Sequence, residues 1–144
     1  MIKLIKIPVS GQGLHDVTQA VNGAIAEQLD KPSTHAISNN EGLCTVFVQH
    51  TSASLIIQEN ADPSARQDLE NWLNRLVCEN DPLYTHIYEG ADDMPAHIKS
   101  AITATSIAIP IINGKMALGT WQGLYLWEHR KQKGQRTLVL HLGV

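Results

Sequence analysis

An α+β fold, with a largely antiparallel, sandwich-like sheet core and about three flanking helices, is predicted by three features of this 144-residue sequence. Seven or eight segments are β-branched and aromatic, or alternate apolar with polar positions, as strands do. Three segments space their apolar residues as amphipathic helices do. The two kinds do not alternate along the chain and include hairpin signals, which argues against a parallel crossover architecture. The length suits one domain, residues 1–144, and no repeat or linker divides it.

The first strand covers Met1 to Val9, where Ile2 and Leu4 followed by Ile5, Ile7 and Val9 change phase once, so an irregularity within it is expected. After a loop at Gly11 and Gly13, Asp16 can cap a helix whose inward positions are Val17, Ala20, Val21, Ala24, Ile25 and Leu29. Lys31 to Gly42 reads as a connection, with a short strand around His35 to Ile37. Leu43 to Gln49 and Leu55 to Ile57 read as strands, and His50, Thr51, Ser52, Ala53 and Ser54 between them as a tight connection of neighbours. Asp62 can cap the second helix, with Pro63 at its first position and Ala65, Leu69, Trp72, Leu73, Leu76 and Val77 as its stripe.

Leu83 to Asp93 is polar and turn-rich, with few core-forming residues. A third helix begins near Pro95, where Asp93 is placed to cap it; Met94, Ile98, Ala101, Ile102 and Thr105 share one face, with His97 at its edge. Ser106 to Ile112, the Asn113-Gly114 turn and Lys115 to Leu118 form a hairpin. Gly119 and Gly123 around Trp121 and Gln122 point to a bulge or a close backbone approach. Leu124 to Glu128 and Thr137 to Leu142 complete the strands.

A net charge of −3 argues against general attraction to nucleic acid. The single basic cluster, Arg130, Lys131, Lys133 and Arg136 around Gly134, reads as a solvated hairpin loop in preference to a phosphate patch. No apolar run is long enough to cross a membrane, and MIKLIKIPVS reads as a strand in preference to a signal peptide. Cys44 and Cys78 lack metal-thiolate or redox spacing, which fits a reduced, cytoplasmic protein. Neither a G-x-G-x-x-G nor a Walker glycine loop is present, so no nucleotide cofactor is expected.

Of the seven histidines, His15, His35, His129 and His141 stand alone. His50, His86 and His97 lie beside carboxylates or hydroxyls and can hold a divalent metal such as Zn²⁺ if the fold or a neighbouring subunit brings them together; surface or structural roles are the alternative. Glu89, Asp92 and Asp93 can bind Mg²⁺ and through it a pyrophosphate, or serve as caps and solvated charge. Trp121 can stack on a ring that Gln122 hydrogen-bonds, or fill the core. Ser52 and Ser54 lie near His50, yet no G-x-S-x-G supports a serine nucleophile.

Taken in order, His50-Thr51-Ser52-Ala53-Ser54, Glu59-Asn60-Ala61-Asp62-Pro63, Glu89-Gly90, Asp93-Met94-Pro95-Ala96-His97 and Leu118-Gly119-Thr120-Trp121-Gln122-Gly123 resemble the secondary thiamine-phosphate synthase family from the first strand to the last. The resemblance implies a compact β-rich homotrimer acting on a small phosphorylated metabolite. Its reaction joins hydroxymethylpyrimidine pyrophosphate to a thiazole phosphate and releases pyrophosphate, as the main or a side activity. It further implies His50, His97, Glu59 and Asp93 as catalytic positions, and Thr51, Ser52, Asn60, Glu89, Trp121 and Gln122 as substrate-binding ones. His50, His86 and His97, the metal positions suggested by residue type, all fall among the site positions it implies. A cleft between subunits would then bring His50 of one chain towards His97 of another. A metal-dependent hydrolase of another phosphorylated metabolite, or a non-catalytic trimer that binds a small ligand or metal, are the alternatives.

Overall fold

The computed structural model describes residues 1–32 and 40–143. In chain order the elements are β1 (Ile2–Val9), β2 (Gly13–Asp16), α1 (Thr18–Leu29), β3 (Gly42–Val48), β4 (Ala53–Glu59), α2 (Pro63–Leu76), α3 (Asp93–Ile102), β5 (Ser106–Ile112), β6 (Lys115–Met116), β7 (Gln122–Glu128) and β8 (Gly134–Gly143). The strand expected around His35 to Ile37 lies outside the described residues. A five-stranded sheet in the order β1-β8-β3-β5-β6 curls as a half-barrel over a three-stranded sheet, β2-β7-β4. Every described strand pairing is antiparallel. The predicted α+β fold with three helices is the observed one.

Alternation puts one face of each sheet into a shared core: Ile7 and Val9, Cys44, Val46 and Val48, Leu124 and Leu126, and Leu138, Leu140 and Leu142, closed at one side by Val21 and Ile25 of α1. Each fully buried aliphatic side chain contributes about 1.5–3 kcal/mol, which is what holds the two sheets together. On the other face of the small sheet, Leu14, Tyr125 and Trp127 pack with Leu73 and Val77 of the α2 segment. Burial pushes the Cys44 thiol up to about 11, so it behaves as a small apolar core residue.

Local signals are realised where they were clearest. Asn113 and Gly114 take φ of 53° and 75°, the mirror-image turn that joins twisted hairpin arms. Asp62 Oδ1 accepts from Ser64 N at 2.9 Å, with Pro63 opening α2. Gly123 is a close approach: a Cβ there would sit 3.1 Å from Tyr125 and 3.2 Å from Asn60.

Four expectations are corrected. β1 pairs residue for residue with β8 and has no irregularity; Ile2 and Leu4 simply point to the open face of the large sheet. The glycine loop contains β2, a short edge strand. β3 and β4 are not a hairpin, because β3 pairs with β5 and β8 while β4 pairs with β7, so His50 to Ser52 carry the chain from one sheet to the other. On α3 the apolar Ala101 and Ile102 face out, whereas Asp93, Ala96, Lys99 and Ser100 are buried. The helix is turned by polar contacts, among them Ser100 Oγ donating to Ala53 O at 3.1 Å, and apolar periodicity cannot report those.

Candidate functional site

Antiparallel pairing of Ala53 with Glu128 brings the beginning of β4 to the end of β7. Against this end of the small sheet lie the first turn of α3 and the preceding loop with His86. Asp93 is the centre of the resulting cluster and is 2% exposed. Its Oδ2 accepts from His86 Nε2 at 2.7 Å and lies 3.2 Å from His97 Nε2. The two imidazoles meet edge-on, with centroids 5.5 Å apart. Asp93 Oδ1 takes Arg130 Nη1, so each carboxylate oxygen has its own partner. Burial works against the charged form of Asp93, yet the hydrogen bond from His86 and the Arg130 and His97 charges hold its pKa below the ordinary carboxylate range.

Asp93 does not cap α3 as expected; that place belongs to Asp92, whose side chain turns to Arg130 Nε and Lys131 N at 3.0 and 2.9 Å. Arg130 also donates to Glu89 O at 2.8 Å and its own backbone N–H reaches Glu128 Oε1 at 3.1 Å. This guanidinium fixes the orientation of Asp93, the job of an outer partner behind a ligand. Arg136 binds Glu128 with two bonds, of 2.6 and 3.0 Å, at the mouth of the sandwich, where Glu128 is fully buried. The basic segment is solvated from Lys131 to Gln135, as expected, but Arg130 and Arg136 at its ends are committed to the buried carboxylates of Asp93 and Glu128, which the charge pattern alone did not reveal.

The ligating atoms of His86, Asp93 and His97 all lie within 4.8 Å of one another. A tetrahedral metal with bonds of about 2.0–2.1 Å spaces its ligands roughly 3.3 Å apart, and the contacts of 2.7 and 3.2 Å to Asp93 are close to that spacing. His86 and His97 are 46% and 34% exposed, so the group opens to solvent on the side away from Asp93. Glu89 Oε2 stands 3.5 Å from His86 Nε2 at its edge. The donor set fits Zn²⁺ or a similar transition ion better than Mg²⁺, which prefers oxygen alone.

His50 lies outside this group. Its Nδ1 accepts from Ser52 N at 3.0 Å, so the ring proton sits on Nε2. That makes His50 a neutral donor where the sequence suggested a third ligand. Partial burial first, then the Arg136, Arg130 and His97 charges, push its pKa down against the pull of Glu128. Thr51 is exposed beside it, whereas Ser52 is 2% exposed and gives its carbonyl to His129 N.

Glu59, Asn60, Trp121 and Gln122 are at the opposite end of β4 and β7, roughly 20 Å along the strand. Asn60 Nδ2 donates to Gln122 O at 3.2 Å, Gln122 Oε1 accepts from Gly119 N at 2.8 Å, and Trp121 is 65% exposed. One chain does not join this patch to the histidines.

His129, read from sequence as a lone residue, is 1% exposed and hydrogen-bonded through Nε2 to Ser54 Oγ at 2.9 Å. Burial, with the Lys99 charge, lowers its pKa from 6.5 to about 3. Unfolded His129 takes up a proton below 6.5 and folded His129 does not until about 3, so the folded state holds fewer protons in that window and loses stability as pH falls through it. The expected loss is about 2 kcal/mol between roughly pH 7 and roughly pH 5, read from urea unfolding. Equal midpoints at the two pH values would show that the ring is protonated in the fold.

A family model described as "UPF0047 protein YjbQ-like" matches residues 3–143. UPF0047 protein sll1880 of Synechocystis sp. is 47% identical over 97% of this chain and 89% of its own length. UPF0047 protein YjbQ of Escherichia coli O157:H7 is 41% identical over 97% of this chain and 95% of its own. Among solved structures, an uncharacterized conserved protein of the YjbQ/UPF0047 family from Clostridium acetobutylicum superposes with a TM-score of 0.82 at 30% identity, covering 97% of this chain and 98% of the other. The conserved hypothetical protein TT1486 from Thermus thermophilus gives 0.80 at 30%, with the same coverage. Among the described residues no helix is long and apolar enough to cross a membrane.

Proposed function

The chain belongs to the YjbQ-like UPF0047 family, and we propose that it is a metal-dependent enzyme acting on a phosphorylated metabolite, with thiamine-phosphate synthesis as its transferase reaction. The observation that carries this reading is the solvent-open His86, Asp93 and His97 group with Arg130 locked behind it. A divalent ion bound there supplies charge to stabilise a leaving pyrophosphate and acidifies water.

In the synthase reaction the thiazole nitrogen forms a bond to the pyrimidine methylene as the methylene–oxygen bond breaks, and the electron pair leaves on pyrophosphate. His50, neutral and protonated on Nε2, can donate a hydrogen bond to a phosphate oxygen as this charge develops. Each guanidinium nitrogen of Arg130 donates to one of Asp92, Asp93 and the Glu89 carbonyl, so its part is to hold Asp93. Glu59, Asn60, Trp121 and Gln122 take part only if a second copy presents them.

A homotrimer provides that copy. The outward face of the five-stranded sheet exposes Ile2 (58%), Leu4 (54%), Phe47 (44%) and Ile112 (53%), an apolar surface of the kind that marks association. Sedimentation at micromolar concentration tests this part, and a monomer overturns it. Hydrolysis of another phosphorylated metabolite is the second reading. It is favoured by the distance between the histidine group and the Trp121 cluster that would hold a pyrimidine ring.

The deciding experiment is thiamine phosphate formation from the two phosphorylated precursors by zinc-loaded protein, with and without chelator, beside His97→Ala. Turnover lost on chelation and in the variant is expected. An equal rate in all three overturns the metal-dependent reading, and release of pyrophosphate or phosphate without coupling identifies the hydrolase.

A further inference from the structure

Helix α3 serves two different places. Asp93 and His97 reach the group described above, whereas Lys99 enters a separate polar cleft between α2, the start of β2 and the end of β7. The cleft has a volume of about 210 Å³ and is lined by Gln12, Glu70, Asn71, Asn74, Lys99 and His129 with their neighbours. That is below the size of a drug-like pocket and suits a small metabolite.

Lys99 is 4% exposed, and its Nζ donates to Asn74 Oδ1 at 2.6 Å. Among the described residues no carboxylate stands within ion-pair distance of it. Glu79, Asp92 and Lys131 act on it only from farther off. Glu79 is itself paired with Lys131 at 2.7 Å, and His129 is neutral and bonded to Ser54. A buried ammonium that has only a carboxamide for acceptor is costly unless an anion reaches it.

The other walls are neutral donors and acceptors, apart from the Glu70 carboxylate. Asn71 Oδ1 accepts from Gln67 Nε2 at 3.1 Å, which leaves its NH₂ turned to no partner among the described residues. Glu70 Oε1 accepts from Leu14 N at 2.7 Å, so its other oxygen remains for a hydroxyl or amino group. We propose that this cleft is a second binding site, for a small metabolite with a carboxylate or phosphate that pairs with Lys99 and a hydroxyl or amino group that meets Glu70.

The site is independent of the metal group, and the test keeps the two apart. Chelator-treated protein is titrated with inorganic phosphate and, separately, with malonate, following backbone amide shifts by NMR. Saturable shifts at Asn71, Asn74 and Lys99 are expected with at least one anion, and which one binds tells phosphate from carboxylate. Lys99→Met should weaken binding about tenfold or more, since a charge-assisted bond is lost. His97→Ala should leave it unchanged. Lys99→Met removes a buried charge at similar volume and should fold; Asn71→Phe, an exposed change at the mouth, must also lose binding. Unchanged affinity in both variants, shifts confined to the His86 and His97 region, or no binding of either anion would overturn the proposal.

Discussion

Alanine at His97 is expected to weaken divalent-metal affinity by at least about a hundredfold and to take turnover to background while leaving the fold intact. The group has three donors, and without His97 it keeps two among the described residues, His86 and Asp93. The side chain is 34% exposed and its contact with Asp93 is longer, at 3.2 Å, than that of His86, at 2.7 Å. Its removal should therefore cost under about 1 kcal/mol of stability. Asp93 would be a poorer test, because its loss also removes one of the two carboxylates paired with Arg130. Zinc competition with a chromophoric chelator, turnover and thermal melting on the same preparation separate the outcomes. Wild-type zinc affinity in the variant would show that His86, Asp93 and His97 are a hydrogen-bonded cluster and not a metal centre.

The largest effect on stability is expected at Arg136. Its two bonds to Glu128, of 2.6 and 3.0 Å, are what permit a carboxylate that is fully buried between the sheets. Arg136→Met leaves that charge with Arg130 N as its remaining donor among the described residues, and unfolding should become easier by about 3–5 kcal/mol. Glu128→Gln combined with Arg136→Met should recover a large part of the loss, because the desolvation cost disappears with the charge. Urea unfolding of the single and double variants measures both. A single variant within about 1 kcal/mol of wild type would mean that water reaches Glu128 and the pair does not hold this end of the sandwich. The same bond network leads through Arg130 to Asp93, so the single variant should also bind zinc more weakly.

The legible part of the site was its residue types. His86, His97 and Asp93 stand in a segment with few core-forming residues, and that depletion is a real signal. What misled was the reading of charge and periodicity by neighbourhood. Arg130 and Arg136 lie among lysines in sequence, so they read as solvated; in space each faces a carboxylate, Arg130 those of Asp92 and Asp93, and Arg136 that of Glu128. His129 looked isolated because its partner Ser54 is on another strand. The apolar stripe of α3 suggested the wrong inward face, so nothing in the sequence marked Lys99 as buried.

Interactions between near neighbours can be read directly from the chain. The Asn113-Gly114 turn, the Asp62-Pro63 start of α2 and the alternation of Leu138, Leu140 and Leu142 depend on backbone preference and on groups a few residues apart, so composition and spacing report them directly. Long-range packing settles which strands share a sheet, which face of α3 turns inward, and that His50 to Ser52 cross between sheets instead of turning back. It also settles that Arg130 reaches Asp93 and that Trp121 lies a strand's length from His97. These depend on contacts between distant segments, whose free energy is collected only when the two sheets close on one core.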